Sequence, residues 1–443
     1  MTEPTTTSQP QSAKDANPKG ASPSPWLRFA LCLVTIALSG TLFYFVGSRL
    51  VSQIYYTKAN SAFKGNYNWI AVQYLKKAID YQPNDILFWR KLADTYYTIG
   101  EKEASIQGAF IYADKARKAF LKANQLNSLD AAAVIGLAKS EGRLQQLYPY
   151  LYPDSSNNPY DPLPYFASAI KLKPNGIPYH FALARYLNQS GREQELLHTA
   201  QSLARMYPGV YGLLKREPLW STEVHTAVKR GLQEAISEKI AVKEAHRSLS
   251  YALADEQNWS KATYHFKEAL SYQREISDRD YIQLGRLYLN DDLTEESIVS
   301  FIKALTISPD KEKSLGAITN IFDKRNHQNA FSSFYSEIDT HFFLSPEMHI
   351  IAAKKFFDLK QLDKARGILT AVNENRPNGD AYYWLARIAE IEKDWDAMEI
   401  NIQKATVLEP TNQHYRNVFL QLRKRLGKDK GGAKKISLES VHL

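Results

Sequence analysis

Asp291–Asp292 and Glu295–Glu296 are the paired carboxylates with which the chain comes nearest to acid–base chemistry. They fall where a turn enters a helix, and acids there cap exposed amides and suit the helix dipole, so their expected role is structural. The ten histidines never fall in an H-E-x-x-H pattern, and the single cysteine excludes thiolate zinc sites and c-type haem attachment. Neither a G-x-S-x-G elbow nor a G-x-G-x-x-G loop is present. Gly427, Gly432 and Lys434 imitate part of a phosphate loop, but without Gly-Lys-Ser/Thr or a preceding strand. No catalytic residue, cofactor or metal site is expected.

Two other stretches have binding chemistry. Tyr148, Tyr150, Tyr152, Tyr160 and Tyr165 alternate with Pro149, Pro153, Pro159, Pro162 and Pro164. Tyrosine offers a flat apolar face with a polar tip, suited to sugar rings or proline-rich peptide; the plainer expectation is a packed connecting loop. Five prolines within residues 148–165 argue against a helix there. Charge is uneven as well. Of the net charge of +9, residues 423–443 hold seven Lys or Arg against two acids. Such a tail attracts anionic lipid or an acidic polymer by charge alone, without specific nucleic-acid recognition, unless it is merely a solvated end.

These side chains need a scaffold, and prolines mark its period. Pro208, Pro309, Pro377 and Pro410 are separated by 101, 68 and 33 residues, near three, two and one times a unit of about 34. Counting back from Pro309 gives Tyr281, Leu284, Gly285, Tyr288, Ser297, Phe301 and Ala304. This pattern of aromatic, Leu-Gly, Tyr, small, aromatic, Ala, Pro resembles the tetratricopeptide repeat. The physical logic is helix–turn–helix packing. Gly285 and Ser297 are small where two antiparallel helices cross, Phe301 and Tyr288 fill the space between neighbouring units, and Pro309 stops the second helix.

The frame recurs at Ala352, Phe356, Ala365, Leu369 and Pro377, and at Leu385, Ala386, Met398, Ile402, Ala405 and Pro410. Upstream it recurs at Ala184, Leu187, Ala200, Leu203 and Pro208, and at Ala59, Ala62, Ala71, Leu75, Ala78 and Pro83. Leu249, Ser250, Leu253, Ala262, Phe266 and Ala269 keep it without the proline, and the stretch around Ala330 and Phe334 keeps part of it. The resemblance implies an all-α fold, an α-solenoid of about nine helix–turn–helix repeats across residues 51–410. Pro83 to Pro174 spans 91 residues where two periods need about 68, leaving roughly 23 extra. One insert is expected near 101–112 as extra helix, and the other is the Tyr/Pro stretch at 148–165.

In the tetratricopeptide family the first helix of each repeat lines a concave face, and the ninth position of the period points into the groove. Carried over repeat by repeat, that position holds Lys139, Arg185, Arg286, Lys354 and Arg387, a basic row suited to an acidic or carboxylate-bearing ligand. Acids such as Glu347 and Glu390 lie beside it, so a solvated helix surface is the competing expectation. The family's chaperone-type carboxylate clamp is not preserved. Asn60 fits one of its positions, but Tyr56 replaces the expected lysine and Lys91 stands where asparagine is needed.

A membrane segment precedes the array. Residues 29–47 carry no charge; 19 residues of helix span about 28 Å, close to a hydrocarbon core of about 30 Å. Trp26 and Tyr44 suit the interfaces, and Arg28 and Arg49 bracket the span. Ala37 and Ser39 imitate a signal-peptide cleavage site, but apolar residues continue through Phe45 and Val46, which favours an uncleaved anchor. No Pro or Gly falls between Ser48 and Lys64, so the span is expected to run into the first repeat helix. Lys14, Lys19 and Arg28 before it balance Arg49, Lys58 and Lys64 after it, so the positive-inside count gives no orientation. The only cysteine, Cys32, lies inside the span, and a cysteine-free soluble part suits an oxidising compartment.

The expected organisation is a disordered tail at 1–25, a transmembrane helix at 26–48, the solenoid at 51–410, a capping helix at 411–426 and a basic disordered tail at 427–443. The expected function is a non-catalytic, single-pass inner-membrane scaffold or assembly factor whose periplasmic array binds proteins of an envelope complex. The alternative is a component of polysaccharide synthesis or export that binds an acidic polymer along the basic row.

Overall fold

The computed structural model describes residues 25–322, 327–342 and 344–427. The expected tail before residue 25 and the basic tail from residue 428 lie outside the described residues. Among those described, the chain forms 21 α-helices, with a 3-10 turn at Pro208–Val210 and no strand. It divides into two compact units after Gly191.

The first unit holds α1 (Pro25–Lys64), α2 (Asn68–Tyr81), α3 (Ile86–Lys102), α4 (Ile106–Leu126), α5 (Ala131–Leu151), α6 (Leu163–Leu172) and α7 (Ile177–Gln189). The second begins with α8 (Glu193–Met206), α9 (Tyr211–Leu214), α10 (Thr222–Ser237), α11 (Val242–Asp255), α12 (Trp259–Ser271), α13 (Asp278–Asn290) and α14 (Thr294–Ile307). It continues with α15 (Lys311–Thr319), α16 (Gln328–His341), α17 (Pro346–Asp358), α18 (Leu362–Asn375), α19 (Gly379–Glu392), α20 (Trp395–Leu408) and α21 (Gln413–Arg425).

The proline period is a period of helix ends. Pro83, Pro174, Pro208, Pro309, Pro377 and Pro410 each lie two residues beyond the last residue of α2, α6, α8, α14, α18 and α20. A proline there disfavours the α conformation of the residue before it and cannot donate to the turn behind it. Five of the hairpins turn by a second recurring device. Asn66, Gln257, Asp292, Lys360 and Lys393 adopt left-handed backbone with φ of 62, 59, 59, 64 and 63°. In each case the next amide donates to a carbonyl five residues back, as Leu293 N does to Tyr288 O at 3.0 Å and Gln361 N to Phe356 O at 2.9 Å. This Schellman arrangement satisfies the last carbonyls of the first helix and reverses the chain within three residues.

Most of the residues that define the frame are buried, with Ala62, Tyr281, Tyr288 and Leu385 only partly so. Ala71, Leu75 and Ala78 are fully buried in the first pair, Ser297, Phe301 and Ala304 in α14, and Ile402 and Ala405 in α20. The partial repeat around Ala330 and Phe334 compensates with aromatic packing. Phe322 stands 5.5 Å from Phe301 and 5.2 Å from Phe331, whose ring is 4.7 Å from that of Phe356. The pairs Asp291–Asp292 and Glu295–Glu296 sit at the α13–α14 turn, the glutamates in the first turn of α14.

α1 is a single helix of 40 residues. Its apolar stretch is bare, with Phe43 84% and Tyr44 73% exposed, and it is the one helix among the described residues long and apolar enough to cross a membrane. Beyond it Ser52 and Ala59 are buried against the first pair.

The Tyr/Pro stretch corrects an expectation. It is not excluded from helix: Tyr148–Leu151 complete α5 with Pro149 inside the helix, and α6 begins at Leu163, leaving only residues 152–162 as loop. Pro149 has no amide hydrogen for the Gln145 carbonyl, four residues back. That carbonyl is taken instead by the Asn158 side chain, whose Nδ2 donates to Gln145 O at 2.8 Å. The loop therefore repairs the helix it interrupts. Near 101–112 the extra residues lengthen the start of α4, which has 21 residues where α2 and α14 have 14.

Candidate functional site

Three helices of the first unit converge on a cleft of about 380 Å³. α3 contributes Tyr97 and Glu101, α5 contributes Lys139, Arg143 and Gln146, and α7 contributes Arg185 and Gln189. The spacings of three or four residues place each set on one helical face. Phe166, Gly142 and Tyr186 line it as well. A side chain at Gly142 would meet the Tyr186 ring at 3.1 Å, so the glycine lets α5 and α7 approach.

The cleft is braced beneath and across. Tyr186 Oη donates to Gln145 Oε1 at 2.6 Å, and Gln146 Nε2 donates to Gln189 Oε1 at 3.0 Å. Burial pushes the Tyr97 phenol up to about 12, with the Glu101 charge adding and Arg143 opposing, so it stays a neutral hydroxyl at neutral pH. Three cations face one acid, Glu101. Lys139 is exposed and Arg143 half-buried. This chemistry fits a carboxylate or other acidic group, held by charge and by amide and phenol donors.

The ninth-position residues fare differently in the two units. Lys139 and Arg185 share the cleft just described. In the second unit each is engaged separately. Arg286 lies in a cleft of about 400 Å³ with Asp255, Trp259 and Asn290, Lys354 Nζ stands 5.1 Å above the Trp384 ring, and Arg387 pairs with Glu390 at 2.7 Å. Sequence reasoning missed Arg143 and Tyr97. Arg143 was signalled by its place four residues after Lys139, on the same face; Tyr97 carried no signal.

The tyrosines of the insert also divide. The Tyr148 ring lies 4.7 Å from that of Tyr152 and 5.9 Å from that of Tyr160. Phe110, from the lengthened start of α4, packs edge-on against Tyr152 and Tyr160 at 6.2 and 6.0 Å. The two inserts thus meet in one aromatic cluster. Burial raises the Tyr160 phenol, and the Asp114 charge adds to it. Tyr165 packs against the core of the first unit. Tyr150 is the most exposed of the five, at 72% against 48% for Tyr152, and lies in a depression shared with Arg143 and Gln146.

No cluster of three or more His, Cys, Asp or Glu that could hold a metal ion occurs among the described residues.

The sequence model of the tetratricopeptide repeat matches residues 281–311. A comparison with curated proteins gives no match. Similar solved structures include the P58(IPK) TPR domain, at 14% identity over 86% of this chain and 99% of that one, with a TM-score of 0.24. Yeast Tom70 is similar at 13% identity over 86% and 97%, with a TM-score of 0.27. The human IFIT1 dimer with PPP-AAAA is similar at 15% identity over 83% and 94%, with a TM-score of 0.31. The match at 281–311 falls on α13 and α14, and further helix pairs of the same frame lie before and after it, which supports the tetratricopeptide-repeat family for this chain.

Proposed function

We propose that the chain is a membrane-anchored scaffold, held in a bilayer by α1, whose helix pairs bind a partner protein of an envelope complex on the extracytoplasmic side. Tetratricopeptide repeats generally serve as non-catalytic protein-binding surfaces. The observation that carries the membrane part is α1 itself: a bare apolar stretch joined without a break to a helix that packs into the first pair. The cleft between α3, α5 and α7 is the place for an acidic segment of the partner.

The test has two arms. The chain should remain with membranes after alkaline carbonate extraction, and protease added outside spheroplasts should degrade the array. Partners recovered from mild-detergent extracts should be lost from Lys139→Glu/Arg143→Glu and kept by Lys354→Glu. Release by carbonate would remove the anchor, and unchanged recovery from the double variant would remove the cleft. A second reading, an acidic polysaccharide, is favoured by Tyr150, exposed beside Arg143 as a sugar-stacking face. It predicts that Tyr150→Ala weakens binding of an acidic polysaccharide while protein partners stay bound.

A further inference from the structure

The first helix pair has chemistry of its own next to the apolar stretch. Tyr55 on α1 stacks with Tyr74 and Tyr81 on α2, with ring centres 6.2 and 6.0 Å apart. Lys58 Nζ and Lys77 Nζ lie 5.9 and 5.5 Å from the centre of the Tyr55 ring. Residues 48–81 contain Arg49, Lys58, Lys64, Lys76 and Lys77 against a single acid, Asp80. Asp85, just beyond, uses its carboxylate to accept from Leu87 N at 2.9 Å as the cap of α3. Leu50 and Ile54 are 63% and 47% exposed, as is Tyr81 at 47%. The result is an aromatic stack ringed by cations, with exposed apolar residues on its side toward the apolar stretch.

Its height follows from helix geometry. α2 folds back along α1 from the turn at Gly65–Tyr67. Counting equal lengths from that turn, Tyr81 stands level with Val51, about 6 Å beyond Gly47 at 1.5 Å per residue, while Tyr55 and Lys77 stand at about 12 Å and Lys58 and Tyr74 at about 17 Å. A bilayer is about 40–45 Å thick with headgroups and about 30 Å without, so each headgroup layer is about 5–8 Å deep. Tyrosine prefers that layer, and lysine there is attracted to anionic lipid.

We propose that the first helix pair rests on the bilayer that α1 enters, with Tyr81 in the anionic lipid headgroups and Lys77 and Lys58 above it, within about a screening length of their charge. This rests on α1 being a membrane anchor. The pair then has two attachments, one through the hydrocarbon and one to the surface, and the end of the array nearest the membrane does not swing freely.

The experiment uses the full chain in vesicles of phosphatidylcholine, alone or mixed with phosphatidylglycerol, containing lipid with a nitroxide in its headgroup or in its acyl chain. Cys32, exposed in the span, carries a fluorophore that reports the anchor through the acyl-chain quencher. In a Cys32→Ser background, Asn84→Cys reports the α2–α3 turn, and Ser61→Cys the far end of α1. Headgroup quenching at 84 should exceed that at 61 several-fold in anionic vesicles. It should fall to the level at 61 with Lys58→Glu/Lys77→Glu. It should fall likewise with both lysines in place at about 1 M salt, where the screening length is about 3 Å, so the result does not hang on a variant that folds. Quenching at Cys32 with none at 84 overturns the surface contact and leaves the anchor standing. Absence of quenching at Cys32 overturns both.

Discussion

Gly285→Ala and Gly367→Ala are the same chemical change in two helices, and they should move stability in opposite directions. In both, the added methyl narrows the unfolded ensemble and improves helix propensity, worth about 0.5–1 kcal/mol. At Gly367 in α18 the new Cβ meets nothing within 4 Å, so that gain stands. At Gly285 in α13 it would lie 2.4 Å from Cε1 and 2.6 Å from Cδ1 of Phe301. Ordinary carbon contacts are about 3.5–4.0 Å, so the ring must retreat by about 1 Å. Phe301 is fully buried, and Phe322 and Phe334 stand 5.5 and 5.8 Å from it, so it has no free space to enter. Overpacking of this kind costs about 1–3 kcal/mol, so after the propensity gain Gly285→Ala is left up to about 2.5 kcal/mol less stable. Denaturant midpoints from far-ultraviolet circular dichroism of the full chain in mild detergent would read both variants. Amide exchange in α13 and α14 localises the effect, because a repeat array need not unfold in a single step. Phe301→Leu should lessen the penalty of Gly285→Ala in the double variant. A rise in midpoint for Gly285→Ala like that for Gly367→Ala, or simple additivity of the changes at 285 and 301, would refute overpacking against Phe301.

The remaining predictions concern a histidine pair and the repaired helix. His246 on α11 and His265 on α12 approach to 2.9 Å between Nδ1 atoms, where one donates and the other accepts. Burial, and secondarily His246, holds the His265 imidazole down to about 4, whereas unfolded histidine titrates at about 6.5. Between those values the unfolded chain binds more protons, so stability is full above about pH 6.5 and is lost as pH falls toward about 4. The ring is only half-buried, which limits the loss to the order of 1 kcal/mol; His265→Gln should flatten that part of the pH profile, and superimposable profiles would refute the account. Asn158→Ala should leave the Gln145 carbonyl unpaired at a cost of about 1–3 kcal/mol, seen as faster amide exchange at the end of α5. Pro149→Ala in the same chain should restore protection by returning the missing amide hydrogen, and no recovery would mean that Asn158 acts otherwise.

Much of the array was legible because its signals are local and repeated. Pro309 and Pro377 mark helix ends, and Gly285 and Ser297 are small because two helices cross there; both follow from chemistry that needs no distant partner. The hairpin tips were not legible, since Gln257 and Lys360 take left-handed backbone without being glycine or asparagine. The fate of Pro149 depended on Asn158 nine residues on, beyond any periodic pattern. The basic row shows the same limit. A repeat frame assigns Lys139, Lys354 and Arg387 the same position, but what each side chain meets is set by its own neighbourhood: the Trp384 ring beneath Lys354, and the Glu390 carboxylate one turn along from Arg387.

An unbroken helix transmits angle as well as position. α1 has 40 residues, about 60 Å of helix, and each residue adds about 1.5 Å and 100° of rotation. The stretch from Ser48 to Lys64 holds neither proline nor glycine to absorb a twist. The compass bearing of the first pair around the axis of α1, and with it the direction in which the Lys139–Arg143 cleft opens, is therefore written in the number of residues between Gly47 and Ala59. One inserted residue there turns that opening by about 100°, whereas seven return it to within about 20° of its starting bearing. The segment works as an indexed shaft, and a change in its length is a change in which way the protein faces.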